Sequence, residues 1–325
     1  MRLAVIGLGR MGTNISLRLM RAGHDIVGFD RNPEHVARLV AEGAVGASSL
    51  EDAVGALAAP RIFWVMLPAG QATEETIASL RDLAQPGDII IDGGNSFFKD
   101  DVRRARECTA KNVHYIDVGT SGGIWGLDRG FCLMIGGDAR IVERLDPIFS
   151  TLAPGPGAIT ATPTRLGGDH RPESGYIHAG PSGAGHFVKM IHNGIEYGLM
   201  QAYAEGFQIL AGRLSTELPE EERFALNLPD IAEVWRRGSV ISSWLLDLCA
   251  LQLAGDRDLK QFSGRVADSG EGQWTVDSAM EEKVPANVLA AALFARYRSR
   301  MDESFADKLL SAMRFGFGGH VEMPQ

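Results

Sequence analysis

The sequence is poor in the features that mark secreted, membrane and nucleic-acid-binding proteins. Only three cysteines, Cys108, Cys132 and Cys249, occur in 325 residues, and they form neither a CxxC pair nor a Cys/His metal pattern. No apolar run approaches the ~18 residues that a membrane span needs, and the first residues do not resemble a cleavable signal segment. Acidic residues outnumber basic ones by 41 to 32, and the net charge of -9 argues against nucleic acid as the main partner. We therefore expect a soluble, cytoplasmic protein with no membrane, nucleic-acid or metal partner.

The chain is long enough for two domains. Its first half alternates short apolar strands with helical stretches, which is typical of a mostly parallel sheet covered by helices on both faces. The predicted strands lie at 3–6, 25–29, 62–67, 88–91, 113–118 and 131–135. A stretch rich in glycine, proline and charge follows at 162–174, and helical patterns dominate beyond it. We predict a Rossmann-type doubly wound α/β domain over 1–165, followed by an all-α domain for substrate binding and oligomerisation over 175–325.

The first strand is followed by GLGRMG, which matches the GxGxxG pattern of dinucleotide-binding proteins. The pattern alone is a weak signal, because glycines often mark only a tight turn. Here it lies between a strand and a helix, and the second strand leads into Asp30, as the dinucleotide fingerprint requires. Gly7 is assigned to the turn, Gly9 to the approach of the pyrophosphate, and Gly12 to helix–strand packing. Asp30 is placed to accept hydrogen bonds from a ribose hydroxyl.

Two further glycine-rich clusters each follow a predicted strand. They are DGGNS at 92–96 and GTSGG at 119–123. Ligands of open parallel sheets collect beyond the carboxyl ends of the strands, where glycine lets backbone amides approach an anion. Asn95 and Ser121 add neutral donors and acceptors. Each cluster alone is compatible with an ordinary turn, but together they favour a substrate with hydroxyls and an anionic group.

The segment HFVKMIHNGIEY at 186–197 carries a polar stripe on an otherwise apolar helix. Four polar side chains recur at i, i+3, i+4 and i+7 and so share one helical face: Lys189, His192, Asn193 and Glu196. A solvated face with helix-supporting pairs is the commoner origin of such a stripe. The surrounding residues are apolar, however, and the preceding GPSGAG suits close backbone approach. These residues leave a solvated face and a functional cleft as equal alternatives.

Six motifs in this order closely resemble the decarboxylating 6-phosphogluconate dehydrogenase family of the pentose phosphate pathway: GLGRMG, DGGNS, TSGG, GHFVKMIHNGIEY, SGEGQWT and MRFGFGGH. The resemblance covers essentially the whole chain and indicates the compact form of that family. The fingerprint, TSGG and the lysine helix also occur across the wider β-hydroxyacid dehydrogenase superfamily. The narrower signals are HNGIEY and the spacing Arg314-x5-His320. The resemblance implies that the polar stripe lines the substrate cleft.

The resemblance implies an oxidative decarboxylation in which no metal takes part. Lys189 resembles the base that removes the C3 hydroxyl proton of 6-phosphogluconate, and its protonated form then assists loss of carbon dioxide from the β-keto acid. Glu196 resembles the acid that protonates the resulting enediol, and His192 and Asn193 accompany them as catalytic residues. A free lysine has a pKa of ~10.4, so burial or neighbouring cations must favour the neutral base. The expected product is ribulose 5-phosphate.

The same resemblance implies the remaining contacts. The implied substrate-binding residues are Asn95, Ser121, Gly122, Gly123, His192, Asn193, Tyr197, Gln273, Arg296, Arg314 and His320, with Tyr197 and Arg296 at the phosphate. The implied cofactor-binding residues are Gly7, Leu8, Gly9, Arg10, Met11, Gly12, Asp30, Arg31, Met66, Leu67 and Asn95. Arg314 and His320 match residues that enter the site from a neighbouring subunit, which implies a homo-oligomer, either a dimer or a tetramer. Gln273 departs from the family pattern, because relatives carry lysine or arginine there and glutamine brings no charge to the phosphate.

The residue after the second strand bears on the choice of cofactor. The Asp30 carboxylate repels the 2′-phosphate of NADP, which favours NAD. Arg31 can partly offset this repulsion. We therefore expect NAD to be preferred, with residual use of NADP.

Two alternatives from other classes stay open. A β-hydroxyacid dehydrogenase would oxidise a small hydroxy acid without decarboxylation, and would have no use for Arg296, Arg314 and His320. A non-catalytic dinucleotide sensor would not need Lys189 and Glu196 together. Product analysis separates these alternatives from the decarboxylating enzyme.

Overall fold

The computed structural model describes residues 1–165 and 167–318, which belong to two compact units. The first unit comprises Met1–His192, and the second begins at Asn193. In the part of the chain that the structure describes, no helix is both long and apolar enough to cross a membrane.

The first unit is built on an eight-stranded sheet. Its strands are β1 (Arg2–Ile6), β2 (Asp25–Phe29), β3 (Val45–Gly46), β4 (Ile62–Val65), β5 (Ile89–Asp92), β6 (His114–Ser121), β7 (Cys132–Gly136) and β8 (Tyr176–Gly180). Their order is β3-β2-β1-β4-β5-β6-β7-β8, and every neighbouring pair is parallel except β6 with β7. The strand order therefore reverses between β1 and β4. Ligands of such sheets bind outside the carboxyl ends of the strands at this switch point, where β1 delivers GLGRMG.

Helices of the first unit pack on both faces of this sheet. They are α1 (Arg10–Arg21), α2 (Pro33–Ala41), α3 (Leu50–Gly55), α4 (Gln71–Leu83), α5 (Phe98–Thr109), α6 (Gly126–Arg129), α7 (Ala139–Arg144) and α8 (Asp146–Leu152). Successive residues of β1 enter opposite cores: Val5 joins Leu19 of α1, whereas Ile6 joins Leu80 of α4. Because both faces are covered, the central strands are apolar throughout. The predicted doubly wound α/β class is confirmed.

The sheet differs from the sequence-based prediction in four places. The sequence does not predict β3, which has only two residues, or β8, which carries the polar His178 and follows the stretch rich in glycine and proline. β7 runs antiparallel to β6, and ten residues, 122–131, connect them, which is short for a parallel crossover. β6 also continues to Ser121, so Gly119 lies within the strand and not in a turn beyond it.

The second unit is helical. Helix α9 (Ala184–Ala211) begins in the first unit and continues into the second, which adds α10 (Leu228–Arg236), α11 (Trp244–Gly255), α12 (Glu271–Glu282), α13 (Asn287–Arg298) and α14 (Phe305–Gly318). Small apolar clusters hold these helices together, one including Phe207 and Leu246, another including Tyr197 and Leu293. The predicted helical character of the C-terminal part is confirmed.

The two compact units divide within α9, between His192 and Asn193. Residues from 175 onward, predicted as the start of the helical domain, first form β8, which pairs with β7. The alternating pattern of this five-residue strand at the edge of the sheet is too weak to be recognised from sequence.

Candidate active site

The loop between β1 and α1 carries the dinucleotide fingerprint. Gly7 has a φ of 94°, a left-handed conformation that favours glycine, and its N–H donates to the Phe29 carbonyl at 2.8 Å. A Cβ at Gly12 would lie 1.9 Å from the Gly7 carbonyl oxygen, so α1 can start this close to β1 only with glycine there. A Cβ at Gly9 would meet no atom within 4 Å, which leaves open space at the helix N-terminus. This arrangement fits the pyrophosphate of a dinucleotide, which binds amide donors and the positive end of the helix dipole.

Alanine substitutions at Gly9 and Gly12, the second and third glycines of the fingerprint, are expected to have different effects. Gly12→Ala presses a methyl group on the Gly7 carbonyl, so we expect a lower melting temperature together with loss of NAD binding. Gly9→Ala adds a methyl group in open space, so we expect an unchanged melting temperature but an NAD affinity weakened about tenfold or more, since the pyrophosphate needs that space. Thermal unfolding and calorimetric titration measure the two effects. Normal NAD affinity in Gly9→Ala would contradict this assignment of the loop.

Asp30 follows β2 and is held as a carboxylate beside the fingerprint. Its Oδ2 accepts a hydrogen bond from the Leu8 N–H at 2.6 Å, and its Oδ1 accepts one from the Asn32 N–H at 2.7 Å. Partial burial disfavours the charge, but the two backbone hydrogen bonds and the nearby His35 imidazole together outweigh it, and the pKa of Asp30 is lowered. The neighbouring Arg31 is exposed, and its guanidinium lies 3.8 Å from the Glu75 carboxylate. The charged side chain that is hydrogen-bonded to the fingerprint backbone is therefore the negative Asp30 carboxylate.

The other cofactor candidates of the first unit border the same loop. A Cβ at Gly7 would lie 2.4 Å from the Met66 carbonyl oxygen and 2.7 Å from Leu67 Cδ2, so the chain beyond β4 packs on the fingerprint. A Cβ at Gly94 would lie 2.8 Å from the Leu67 carbonyl oxygen. The DGGNS loop therefore packs on the chain beyond β4, and this loop carries the exposed Asn95. Leu8, Arg10 and Met11 complete the fingerprint and the first turn of α1.

The two polar clusters leave the sheet at one edge. β5 and β6 are parallel with Asp92 opposite Asp117, so Asn95 and Ser121 both lie toward the carboxyl ends of these strands. Gly122 and Gly123 continue from Ser121 outside the strand. This edge also receives the fingerprint from β1, as the sequence analysis expected.

Lys189 of α9 packs directly on β6. A Cβ at Gly119 would lie 2.3 Å from the Lys189 Cβ, so the missing side chain at Gly119 is what lets the helix touch the strand. Lys189 is only 7% exposed. Its Nζ lies 3.4 Å from His192 Nδ1, and His192 Nε2 lies 3.5 Å from Ser121 Oγ. The three polar groups form a chain that can pass a proton, and the tautomer of His192 sets its direction.

The remaining residues of the polar stripe lie in the second unit. Asn193 is buried and Glu196 is half-buried on α9. Seven residues separate Lys189 from Glu196, a rise of about 10.5 Å along the helix. Arg314 is exposed on α14, and His320 lies outside the described residues.

The second unit also brings the predicted phosphate ligands together. The guanidinium carbon of Arg296 lies 3.5 Å from the centroid of the Tyr197 ring, a cation–π contact. The Tyr197 hydroxyl donates to Asp268 Oδ1 at 3.1 Å. Gln273 is exposed, and its Oε1 accepts from the Tyr297 hydroxyl at 3.5 Å. Asp268, a carboxylate in direct contact with this group, could not be recognised from sequence because no motif marks it.

Two family models match the chain. Residues 2–162 match the NAD binding domain of 6-phosphogluconate dehydrogenase, and residues 185–314 match the 6-phosphogluconate dehydrogenase C-terminal domain. Together they cover most of both units.

Individual proteins show similarity over the same range. The chain is 42% identical over 322 residues to the NAD(+)-dependent, decarboxylating 6-phosphogluconate dehydrogenase of Haloferax volcanii, with 98% of both chains covered. It is 40% identical over 321 residues to a putative 6-phosphogluconate dehydrogenase of Bacillus subtilis, with 99% of both covered. A solved 6-phosphogluconate dehydrogenase of Plasmodium falciparum, studied in its apo form and in complex with NADP+ and with 6-phosphogluconate, matches with a TM-score of 0.76 and 27% identity. That match covers 100% of this chain and 66% of the Plasmodium chain.

Proposed function

The chain belongs to the 6-phosphogluconate dehydrogenase family, and from this premise we propose that it converts 6-phosphogluconate and NAD to ribulose 5-phosphate, carbon dioxide and NADH. The observation that carries the proposal is the buried Lys189, packed on Gly119 beside His192, in the unit that holds the fingerprint. A dinucleotide sensor has no use for a buried lysine at this edge of the sheet.

In this proposal Lys189 is the base of the first step. Its Nζ lies 3.4 Å from His192 Nδ1, and a neutral amine at this position is suited to accept the C3 hydroxyl proton. The fingerprint would hold NAD, which would supply the acceptor for the hydride that leaves C3. His192 and Ser121 lie next in the chain and can exchange the proton with Lys189. The ketone formed at C3 is an electron sink, and the Lys189 ammonium can donate its proton to that oxygen as carbon dioxide leaves.

Glu196 is proposed as the acid of the last step. The enediol left by decarboxylation needs a proton at the carbon that carried the carboxylate, which is C2 of the substrate and C1 of the product, next to the oxidised C3. Glu196 lies two helical turns beyond Lys189, so one helix offers a base and an acid to different carbons of an extended sugar acid. Asn193, buried on the same helix, is proposed to bind the substrate hydroxyls.

The phosphate is proposed to lie at Tyr197 and Arg296, with Arg314 and His320 supplied by a neighbouring subunit. Several apolar side chains of the helices that would carry such an assembly are exposed in the single chain, which supports a homo-oligomer: Ile195, Leu199, Phe294, Phe305, Leu310 and Met313. Whether the assembly is a dimer or a tetramer is decided by light scattering of the purified protein.

Product analysis tests the proposed function. Incubation with 6-phosphogluconate and NAD is expected to release NADH, carbon dioxide and ribulose 5-phosphate in equal amounts. Release of NADH from a small hydroxy acid, without carbon dioxide, would assign the chain to the wider β-hydroxyacid dehydrogenases instead. NAD binding without any turnover would leave only the sensor.

Replacing Asp30 with serine is expected to move cofactor preference toward NADP. The carboxylate meets the 2′-phosphate as a like charge, and its removal should change the ratio of kcat/KM for NAD to that for NADP by about tenfold or more. Serine also lacks the second acceptor used by Leu8 and Asn32, so the kcat/KM for NAD itself should fall. Initial rates with both cofactors at saturating 6-phosphogluconate measure the ratio.

Arg31→Ala is the matched control for this change. Its guanidinium is exposed and paired only loosely with Glu75, so its loss should lower NADP use and leave NAD use unchanged. A wild-type ratio that favours NADP, or an Asp30→Ser ratio equal to that of the wild type, would show that Asp30 does not set the preference.

A further inference from the structure

A buried group of charged residues lies in the first unit, and one of its members, His186, precedes Lys189 by three residues on α9. Asp92, Asp101 and Asp117 are fully buried, and His186 and Arg104 are 1% and 2% exposed. They come from β5, α5, β6 and α9, four elements that meet at the carboxyl edge of the sheet. The proposed chemistry uses none of these five residues.

His186 is a charged imidazolium in this group. Its Nδ1 lies 2.8 Å from Asp101 Oδ2, and its Nε2 lies 3.0 Å from the Gly94 carbonyl oxygen. Both partners only accept hydrogen bonds, so both ring nitrogens must carry protons. Burial alone lowers the pKa of His186, but the Asp101 carboxylate overrides this and raises it to about 10.

Other side chains donate hydrogen bonds to the Asp101 and Asp92 carboxylates. Asp101 Oδ1 accepts from the Tyr115 hydroxyl at 2.7 Å. Asp92 Oδ2 accepts from Ser96 at 2.6 Å and from Arg104 at 3.1 Å. Although these two carboxylates and His186 lie close enough together to bind a metal ion, the Arg104 guanidinium already supplies the cation there. The group is therefore a hydrogen-bonded ion cluster.

The first turn of α9 is fixed to the sheet by this cluster. The Asp117 carboxylate accepts the N–H of Gly183 at 2.7 Å and that of His186 at 2.9 Å, and so caps the helix. A Cβ at Gly185 would lie 2.5 Å from the Met134 carbonyl oxygen, so the helix touches β7 as well. The His186 side chain links this turn to the DGGNS loop through the Gly94 carbonyl. Lys189 follows one turn later.

We infer that His186 is a positioning residue that joins two parts of the active site, the DGGNS loop carrying Asn95 and the helix turn carrying Lys189. This inference rests on the proposed role of Lys189 as the base. One imidazolium holds the loop through the Gly94 carbonyl and holds α5 through Asp101, while its own backbone is capped by Asp117. A shift of the loop relative to the helix would separate Asn95 from the base, and a misplacement of about 1 Å can cost about a hundredfold in rate.

Two substitutions separate the two links of the ring. In His186→Asn the amide nitrogen takes the place of Nδ1, so the bond to Asp101 is kept and the bond to Gly94 is lost. In His186→Gln the amide nitrogen takes the place of Nε2, so the bond to Gly94 is kept. The second change is combined with Asp101→Asn, because glutamine does not reach Asp101 and would leave that buried carboxylate without this hydrogen bond as well as without its cation. Both variants lose the ion pair between His186 and Asp101, but only His186→Asn loses the hydrogen bond to the Gly94 carbonyl of the loop.

Three measurements compare the variants with the wild type. For His186→Asn we expect kcat to fall about tenfold to a hundredfold, NAD affinity to stay within about twofold, and amide hydrogen exchange at Gly94–Ser96 to accelerate about tenfold. For Asp101→Asn/His186→Gln we expect kcat within about threefold of the wild type and unchanged exchange in the loop, even if the melting temperature falls. A purely structural role predicts loss of kcat in both variants in proportion to lost stability.

Equal kcat losses in the two variants, or unchanged loop exchange in His186→Asn, would overturn the inference. Hydrogen exchange needs no turnover, so it tests the link even if product analysis rejects 6-phosphogluconate as the substrate. The two failures are therefore distinguishable. If His186→Asn does not fold, a kcat loss in the folded double variant overturns the inference by itself, and retained kcat supports it.

Discussion

Lys189→Met is expected to lower the turnover of 6-phosphogluconate by about 10³-fold or more while NAD still binds normally. Methionine resembles lysine in length and suits a buried position, but it cannot accept a proton, and a general base contributes about 10² to 10⁴-fold to a rate. In the proposed mechanism Lys189 also supplies the proton for the decarboxylation step, so one substitution would remove two functions. NADH absorbance measures kcat, and calorimetry measures the NAD affinity.

Two further variants make this result specific. Lys111→Met removes an exposed lysine whose partner is Asp82, and should leave kcat unchanged. Glu196→Gln should also lose steady-state turnover, yet release about one NADH per site in a single turnover, because oxidation precedes protonation at C1. Lys189→Met should release none. Turnover by Lys189→Met within about tenfold of the wild-type value would remove Lys189 from the role of base.

The parts of the fold that sequence reasoning predicted are those with local patterns. The strand, glycine loop and helix around GLGRMG need only residues close in sequence, and the structure has them where the pattern indicates. The same holds for α9, whose helical period places Lys189 and His192 on one face, with Nζ and Nδ1 3.4 Å apart. Local periodicity was sufficient for both.

Contacts between distant segments could not be predicted in this way. His186 lies among apolar residues of the α9 pattern, and its partner Asp101 is 85 residues away in a different element. Gly119 looks like part of a glycine turn, and only the packing of α9 on β6 shows that its missing side chain makes room for Lys189. Such roles depend on which elements meet in space, and a single sequence does not contain this information.

The direction of a strand in the sheet is also not encoded in its local sequence pattern. The apolar run of β7 looks the same whether the strand is parallel or antiparallel, so hydrophobic pattern could not decide it. The length of the connection was the available signal, since ten residues rarely complete a parallel crossover. The sequence signal for β8 is weaker still, because its pairing with β7, and not its own composition, makes it a strand.

Subunit mixing is expected to restore activity to two inactive variants. If Arg314 and His320 complete a neighbour's site, Arg314→Ala/His320→Ala should be folded but inactive, because the phosphate loses its charged ligands. In a hybrid of this variant with Lys189→Met, one site combines the intact Lys189 of one chain with the intact Arg314 and His320 of the other. For a dimer, random exchange makes about half of the molecules hybrids with one working site of two, so about a quarter of wild-type activity should return.

The matched control mixes Lys189→Met with Glu196→Gln. Both residues lie on α9 of one chain, so every site in such a hybrid lacks either the base or the acid, and no activity should return. Exchange is verified in both mixtures by mass spectrometry of differently labelled subunits. Recovery in the first mixture, without recovery in the control, requires that Arg314 and His320 act across the interface. If they served the site of their own chain, every site of the first hybrid would also carry a defect. Verified exchange without recovery in the first mixture would place Arg314 and His320 in the site of their own chain, or outside any site. Recovery in the control would instead show that Lys189 and Glu196 serve different sites, which the proposed mechanism forbids.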